Sequence, residues 1–518
     1  MDATPFSQWR SWARDGYRHL PVAVRTAHPA GTPKIWSAFL SGDTYAVLES
    51  GKDGRFTYAA SGCVEQLVGG RMAAELYRPL EAGGRCNVGS TTACLPDVLR
   101  NWLADYRAPR LPDWPPFCGG IVGYLGYEYG SPFRYDERED LGLPIYAWNR
   151  VDEVVAFDGE GGELFAFVHQ KIEGEDVRDE SRLADLYEKT VDRARALANR
   201  WRRACERTED DAVRRRIDRI AAGFRAEELH FEVERLPGLR TAFPKNDFLR
   251  AVVKIQDYIR SGDTYQVNLS VRQQRPLTVP PAIVYEMLRR INPSPYMAYL
   301  QIEPGFDLVC GSPELLVRLV GRKLEARPIA GTRRRGADDG EDGAMERELR
   351  ATEKELAEHV MLVDLVRNDL GRVAKYGSVR VSELMTVERY SHVMHLVSHV
   401  VAELREGLDA VDVIHAMFPG GTVTGAPKKR TMQIIAELEP VNRGPYTGSI
   451  GWIDYGGNME LNITIRTMLA LEGTAYVQAG AGIVLDSVPE REYRECLNKA
   501  RALWKALEYA ERFACGDR

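Results

Sequence analysis

Residues 477–483, VQAGAGI, alternate and are apolar enough for a buried strand, yet Gly480 and Gly482 interrupt the pattern. Glycine weakens a strand interior, so its recurrence at alternate positions predicts that something approaches the backbone closely. Bare N–H groups at such a place can hold an anion such as a carboxylate. Pro489 then opens a helix whose first turn carries Glu490 and Glu492, where acidic side chains suit the dipole. Glu492 and Glu495 are three apart and share one helical face. Anion-binding amides beside acidic side chains make sense where a hard cation bridges the acids to a ligand carboxylate. A glycine-containing strand edge followed by a solvated acidic helix is the plainer reading of the same residues.

With 518 residues the chain can form two domains or one large intertwined one. Its formal net charge of −6 gives no basic footprint for nucleic acid. No apolar run reaches the length of a membrane span. The N-terminus, MDATPFSQWRSWARDG, lacks an apolar signal core, so a cytoplasmic protein is expected. Cysteines 63, 86, 94, 118, 205, 310, 496 and 515 are scattered without C-x-x-C spacing, which suits a reducing compartment.

Taken in order, residues 1–60 read as strands and turns, with a short apolar run at Thr44–Ser50 and the hairpin-type turn GKDGR after it. Cys118–Tyr127 mixes glycines with aromatics, as ligand-lining or closely packed strands do. Tyr146–Phe167 reads as two strand pieces around DGEGG. Ile172–Arg225 is rich in helix formers and charge, and predicts one or two exposed helices joining two halves. Asn246–Ser261 is an amphipathic helix with Gly262 at its end, and Tyr265–Gln273 alternates as a half-buried strand. A helix at Pro281–Ile291 and strands at Tyr296–Ile302, Leu308–Cys310 and from Leu315 follow. Met345–Leu370 predicts one long helix with Leu356, Val360, Val363 and Leu365 as its core face. The Gly/Thr-rich loop of FPGGTVTGAPKKR precedes another helix, whose N-terminus favours anions.

No phosphate-loop or dinucleotide pattern is present. Together and in order, however, GSPE (311–314), RPIAGTR (327–333), AEHVMLVDL (357–365), FPGGTVTGAPK (418–428), NITIRT (462–467) and the stretch from Gln478 resemble the chorismate-utilising enzymes. That family comprises the large subunits of anthranilate synthase and aminodeoxychorismate synthase, isochorismate synthases and salicylate synthases. The likeness is dense from about Asp247 to Leu507 and thinner before. It implies an α+β fold of two large antiparallel sheets packed face to face with helices outside. It also implies an N-terminal domain, 1–235, interleaved with a chorismate-binding catalytic domain, 236–518.

The resemblance implies one Mg2+ on Glu358 and Glu495, with Glu355 and Glu492 acting through water. Glu314 matches a general acid near the leaving hydroxyl, which requires a raised pKa. His395 matches an active-site histidine, with His392 and His399 on the same helical face if the segment is a helix. Arg466 matches the group that grips the enolpyruvyl carboxylate, a task suited to a guanidinium. Thr332, Ala330, Tyr446, Thr424, Gly480, Ala481, Gly482 and Lys499 match neighbouring positions. Leu48, Glu49 and Ser50, with Pro293, Tyr296 and Met297, resemble the tryptophan pocket of feedback-inhibited anthranilate synthases. Ordinary strand and turn pieces would read the same.

Gln266 stands where isochorismate and salicylate synthases have a water-activating lysine. Glutamine cannot be that base, so an ammonia-adding enzyme is expected. Ala330, in PIAGT, is typical of anthranilate synthase and occurs in some aminodeoxychorismate synthases. Asn268, Gly420, Thr424, Ser449 and Asn462 resemble the aminodeoxychorismate branch, which is therefore favoured over anthranilate synthase. Cys118 has no nucleophile-elbow context, so a separate glutamine amidotransferase subunit is expected as partner, with chorismate as substrate and neither nucleic acid nor membrane.

Overall fold

The computed structural model describes residues 2–515 except 29–30, 41–44, 52–53, 81–83, 132, 134–140, 211, 224–230, 337 and 390–392. Thr44, His392 and the middle of the 51–55 turn lie outside the described residues. Among the described residues, two sheets, of 13 and 12 strands, organise the fold, and their ladders are antiparallel. Both sheets take strands from both ends of the chain. In the larger, Tyr45–Glu49 pairs with Tyr296–Glu303. In the smaller, Gly120–Leu125 pairs with Ser449–Asp454.

The sheets meet across an aromatic core. Trp452 of the smaller sheet stacks on Phe117 at 5.0 Å between ring centroids and meets Tyr58 of the larger sheet edge-on at 6.0 Å. Tyr124 and Phe306 make a similar edge contact at 5.6 Å. Helices cover the outer faces. Leu316, Val317 and Leu324 of the smaller sheet pack with Val363, Val366, Leu370 and Ile414 of helices in a second core. No helix among the described residues is long and apolar enough to cross a membrane.

Several local readings change. The stretch read as strands and turns contains the helix Phe6–Arg14, which buries Trp9, Trp12 and Ala13. Residues 146–171 form three strands, because Tyr146–Val151 and Glu153–Asp158 are separated by a single residue. The charged helix Glu180–Asp210 is no exposed linker. Leu183, Val191, Ala194, Leu197 and Trp201 are buried in the main core, and the charge occupies the other face. The strand Gln266–Pro276 is buried over most of its length rather than on one face. The expected single helix at 345–370 is two, Asp339–Ala351 and Glu353–Gly371, broken at Thr352 with φ −77° and ψ 101°. The second helix buries Leu362, Val363, Val366 and Leu370, while Val360 is 54% exposed. Within the run Cys118–Tyr127, Gly120–Leu125 forms a buried strand between two others, so packing accounts for its composition.

Candidate active site

Gln266–Pro276 and Thr474–Ile483 pair so that Asn268 faces Gly482 and Ser270 faces Gly480. On the other side of the glycine strand, Thr467–Leu471 pairs only as far as Val477. Residues 478–483 therefore border open space. The glycines admit side chains from the neighbouring strand and loop. A Cβ at Gly482 would lie 2.4 Å from Gln266 Nε2, and one at Gly480 would lie 2.3 Å from Asn268 Oδ1 and 2.7 Å from Tyr446 Oη. The helix Pro489–Cys515 follows, with Glu490 and Glu492 in its first turn. Glu492, Glu495, Asn498 and Lys499 lie along one face of it and line a cavity of about 790 Å³.

This cavity also gathers Glu314, Ala330, Glu355, Glu358, His395, Tyr446 and Arg466, together with Gln266, Gly480 and Gly482. Glu314 is 5% exposed, and its Oε1 has no hydrogen-bond partner. Burial pushes its carboxyl up to about 7, against the opposing pull of Thr422, Lys499 and Arg466. A carboxyl so placed holds a proton near neutral pH. His395 lies on the strand Val393–Glu403, which corrects the helical reading of RYSHVMH. Its Nδ1 is 3.2 Å from the Gly331 carbonyl, which can only accept, so Nδ1 carries the proton. Burial, then the charge of Arg466, holds its pKa at about 3, leaving a neutral imidazole.

Arg466 has φ +50°. A non-glycine residue in the left-handed region costs about 1–3 kcal/mol, and such strain clusters at functional sites. The acids are held individually. Glu358 Oε1 accepts from Gln266 Nε2 at 2.7 Å. Glu355 Oε1 pairs with Arg333 at 2.5 Å, and its Oε2 is buried without a hydrogen bond. Glu495 pairs with Lys499 at 2.9 Å, and Lys499 also donates to the Gly480 carbonyl at 2.9 Å.

Four expectations are corrected. Thr424 is fully buried and its hydroxyl donates to the Gly420 carbonyl, away from the cavity. The Ser449 hydroxyl likewise donates to the Asn462 carbonyl. Ala481 is fully buried, because alternation turns it to the opposite face from Gly480 and Gly482. Pro293 lines the main cavity rather than the second one. That second cavity, about 740 Å³, is lined by Leu48, Glu49, Ser50, Tyr296 and Met297, with Pro295 beside them. Thr332 pairs with His395 across the sheet, and its side chain lies outside the described residues.

Sequence reasoning missed Arg333, Thr422, Gln478 and Asn498, and treated Asn268 as a branch marker without giving it a place in the site. All five line the cavity. The signals were available. Gln478 and Asn268 are two residues from Gly480 and Gln266 on their strands, and Asn498 is one turn beyond Glu495.

Among the described residues, no three His, Cys, Asp or Glu side chains lie close enough to hold a metal by themselves. The donors around this cavity are carboxylate oxygens, and Glu355 Oε2 is left unpaired. That set fits Mg2+, which takes one or two carboxylates and completes its shell with substrate oxygens and water.

Residues 90–505 match the family described as chorismate binding enzyme. The chain is 46% identical over 417 residues to aminodeoxychorismate synthase component 1 of Bacillus subtilis (strain 168), covering 80% of this chain and 82% of that one. It is 46% identical over 424 residues to anthranilate synthase component 1 of Thermus thermophilus, covering 80% and 83%. The crystal structure of anthranilate synthase component I from Streptococcus pneumoniae TIGR4 superposes with a TM-score of 0.66 at 29% identity, covering 92% of this chain and 98% of that one.

Proposed function

Because this chain belongs to the chorismate-binding enzymes, we propose that it is the large subunit of an aminodeoxychorismate synthase, converting chorismate and ammonia to 4-amino-4-deoxychorismate. The observation that carries the reading is the gathering of Glu314, His395, Arg466, Glu358 and Glu495 around one cavity. Among the described residues that resemble the aminodeoxychorismate branch, Asn268 alone lines that cavity. This supports the C4-aminating branch over its relative. A glutamine amidotransferase subunit would supply the ammonia.

In this reading Arg466 binds the enolpyruvyl carboxylate, and its constrained backbone aims the guanidinium before substrate arrives. Glu314 enters protonated and gives its proton to the departing ring hydroxyl. Neutral His395 offers a hydrogen bond rather than a charge. Lys499 stands beside the Gly480 backbone, near the ring carboxylate. Gln266 cannot deprotonate water, which disfavours hydroxylation. Ala330 offers no nucleophile, so nitrogen reaches C4 without a lysine adduct. Glu358 and Glu495, aided by Glu355 and Glu492, would hold Mg2+, which when bound neutralises the ring carboxylate and assists loss of the hydroxyl.

Anthranilate synthase is the second reading. Ala330 in the cavity wall favours it, as does the second cavity beside Leu48, Glu49 and Ser50. Product identification from chorismate, Mg2+ and ammonium separates the two.

A further inference from the structure

Gln266, Asn268 and Ser270 alternate along one face of their strand, and Gln478 stands on the same face of the next, two residues before Gly480. The carbonyl oxygens of all three amide side chains are buried without a hydrogen-bond partner. Two of these amides have a fixed orientation. Gln266 Nε2 donates to the Glu358 carboxylate at 2.7 Å, which commits its nitrogen and leaves Oε1 bare. Gln478 is fixed through a relay. Ser270 Oγ donates to Glu439 Oε1 at 2.7 Å, and Gln478 Nε2 donates to Ser270 Oγ at 2.8 Å. A carboxylate only accepts, so the serine proton points at Glu439 and the serine oxygen must accept from an N–H. The amide cannot turn over without setting carbonyl against hydroxyl oxygen. Glu439 is itself clamped by Arg443 at 2.6 Å in the protein interior.

Gln478 is 5% exposed and lines the main cavity together with a smaller neighbour of about 350 Å³, with which the main cavity also shares Tyr446. Gln478 therefore stands in a wall between the two spaces. Neutral carbonyl oxygens on one face call for a small N–H donor. An anion would be repelled, and substrate carboxylates already have Arg466.

We propose that Gln478 Oε1 accepts an N–H of the incoming ammonia, and that Ser270 and Glu439 position Gln478 for this. The inference rests on the ammonia-adding reading above. One N–H of ammonia satisfies this acceptor and leaves the nitrogen lone pair free for attack. A site built around a hydrogen bond discriminates against a ligand that leaves it unpaired.

The test measures KM for ammonium at saturating chorismate and KM for chorismate at saturating ammonium. Gln478→Met removes the acceptor at similar volume. Its ammonium KM is expected to rise roughly 10-fold, the scale of one hydrogen bond, with chorismate KM within about twofold. Ser270→Ala frees the amide to turn and should shift ammonium KM in the same direction by less. Parallel rises in both KM values would assign these residues to the substrate or to packing and overturn the proposal, as would an unchanged ammonium KM. If Gln478→Met does not fold, Ser270→Ala and Gln478→Leu, which also removes the acceptor, give the same comparison. Wild-type protein lacking ammonium-dependent chorismate consumption would instead remove the ammonia-adding reading, and this inference with it.

Discussion

Replacing Glu314 by Gln should change how stability depends on pH. The buried carboxyl ionises at about 7 in the folded chain, against 4.5 for a free glutamate. Between those values the unfolded chain has released the proton and the folded chain still holds it. The folded state thus binds more protons, and stability falls as pH rises through this window. At about 1.4 kcal/mol per unit, the loss reaches roughly 3 kcal/mol above pH 7. Glutamine carries no charge in either state and removes the slope. At about 2 cal/mol/K per residue, a chain of 518 residues has an unfolding entropy near 1 kcal/mol/K, so the effect is about 3 °C in Tm. Thermal unfolding of both proteins at pH 5 to 8 provides the assay. The variant's Tm should gain about 3 °C on wild type between the ends of the range, whatever constant offset separates them. A difference that stays flat, or moves the other way, would refute the protonated state of Glu314. The same proton makes wild-type turnover fall above about pH 7, and Glu314→Gln should lose at least ~100-fold in kcat.

Glu358→Gln and Glu495→Gln should each lose activity by at least ~100-fold, the scale of one strong electrostatic contribution. Near-wild-type turnover of both at saturating Mg2+ would take these residues out of the metal site. His395 should remain a neutral imidazole down to pH 5, since its folded pKa is held at about 3; 15N chemical shifts of an imidazolium at pH 6 would contradict this. Under the aminodeoxychorismate reading, calorimetry with tryptophan should show no inhibitory binding at the cavity beside Leu48, Glu49 and Ser50. Tight binding with inhibition would favour the anthranilate reading.

Much of the site was legible because its geometry is local. Gly480 and Gly482 announced a close approach, and the glutamates three apart on a proline-opened helix announced an acidic face. The structure adds what approaches the glycines: Gln266, Asn268 and Tyr446, from a neighbouring strand and a loop far off in sequence. Strand alternation carried the exclusion of Ala481 from the site, and the resemblance overrode it. The burial of the Thr424 and Ser449 hydroxyls on backbone carbonyls could not be read, because an unpaired hydroxyl and a satisfied one have the same letter. The break at Thr352 has neither glycine nor proline to mark it, and tertiary contacts set it. Helix Phe6–Arg14 was missed because it is short, and its burial against the sheet decides it more than its propensity.

The product formed from chorismate, Mg2+ and ammonium by the purified protein, with no lyase present, is the most direct test of the assignment. It should retain the enolpyruvyl ether and give para-aminobenzoate only when an aminodeoxychorismate lyase is added. Pyruvate release with the fluorescence of anthranilate, before any lyase is present, would contradict it.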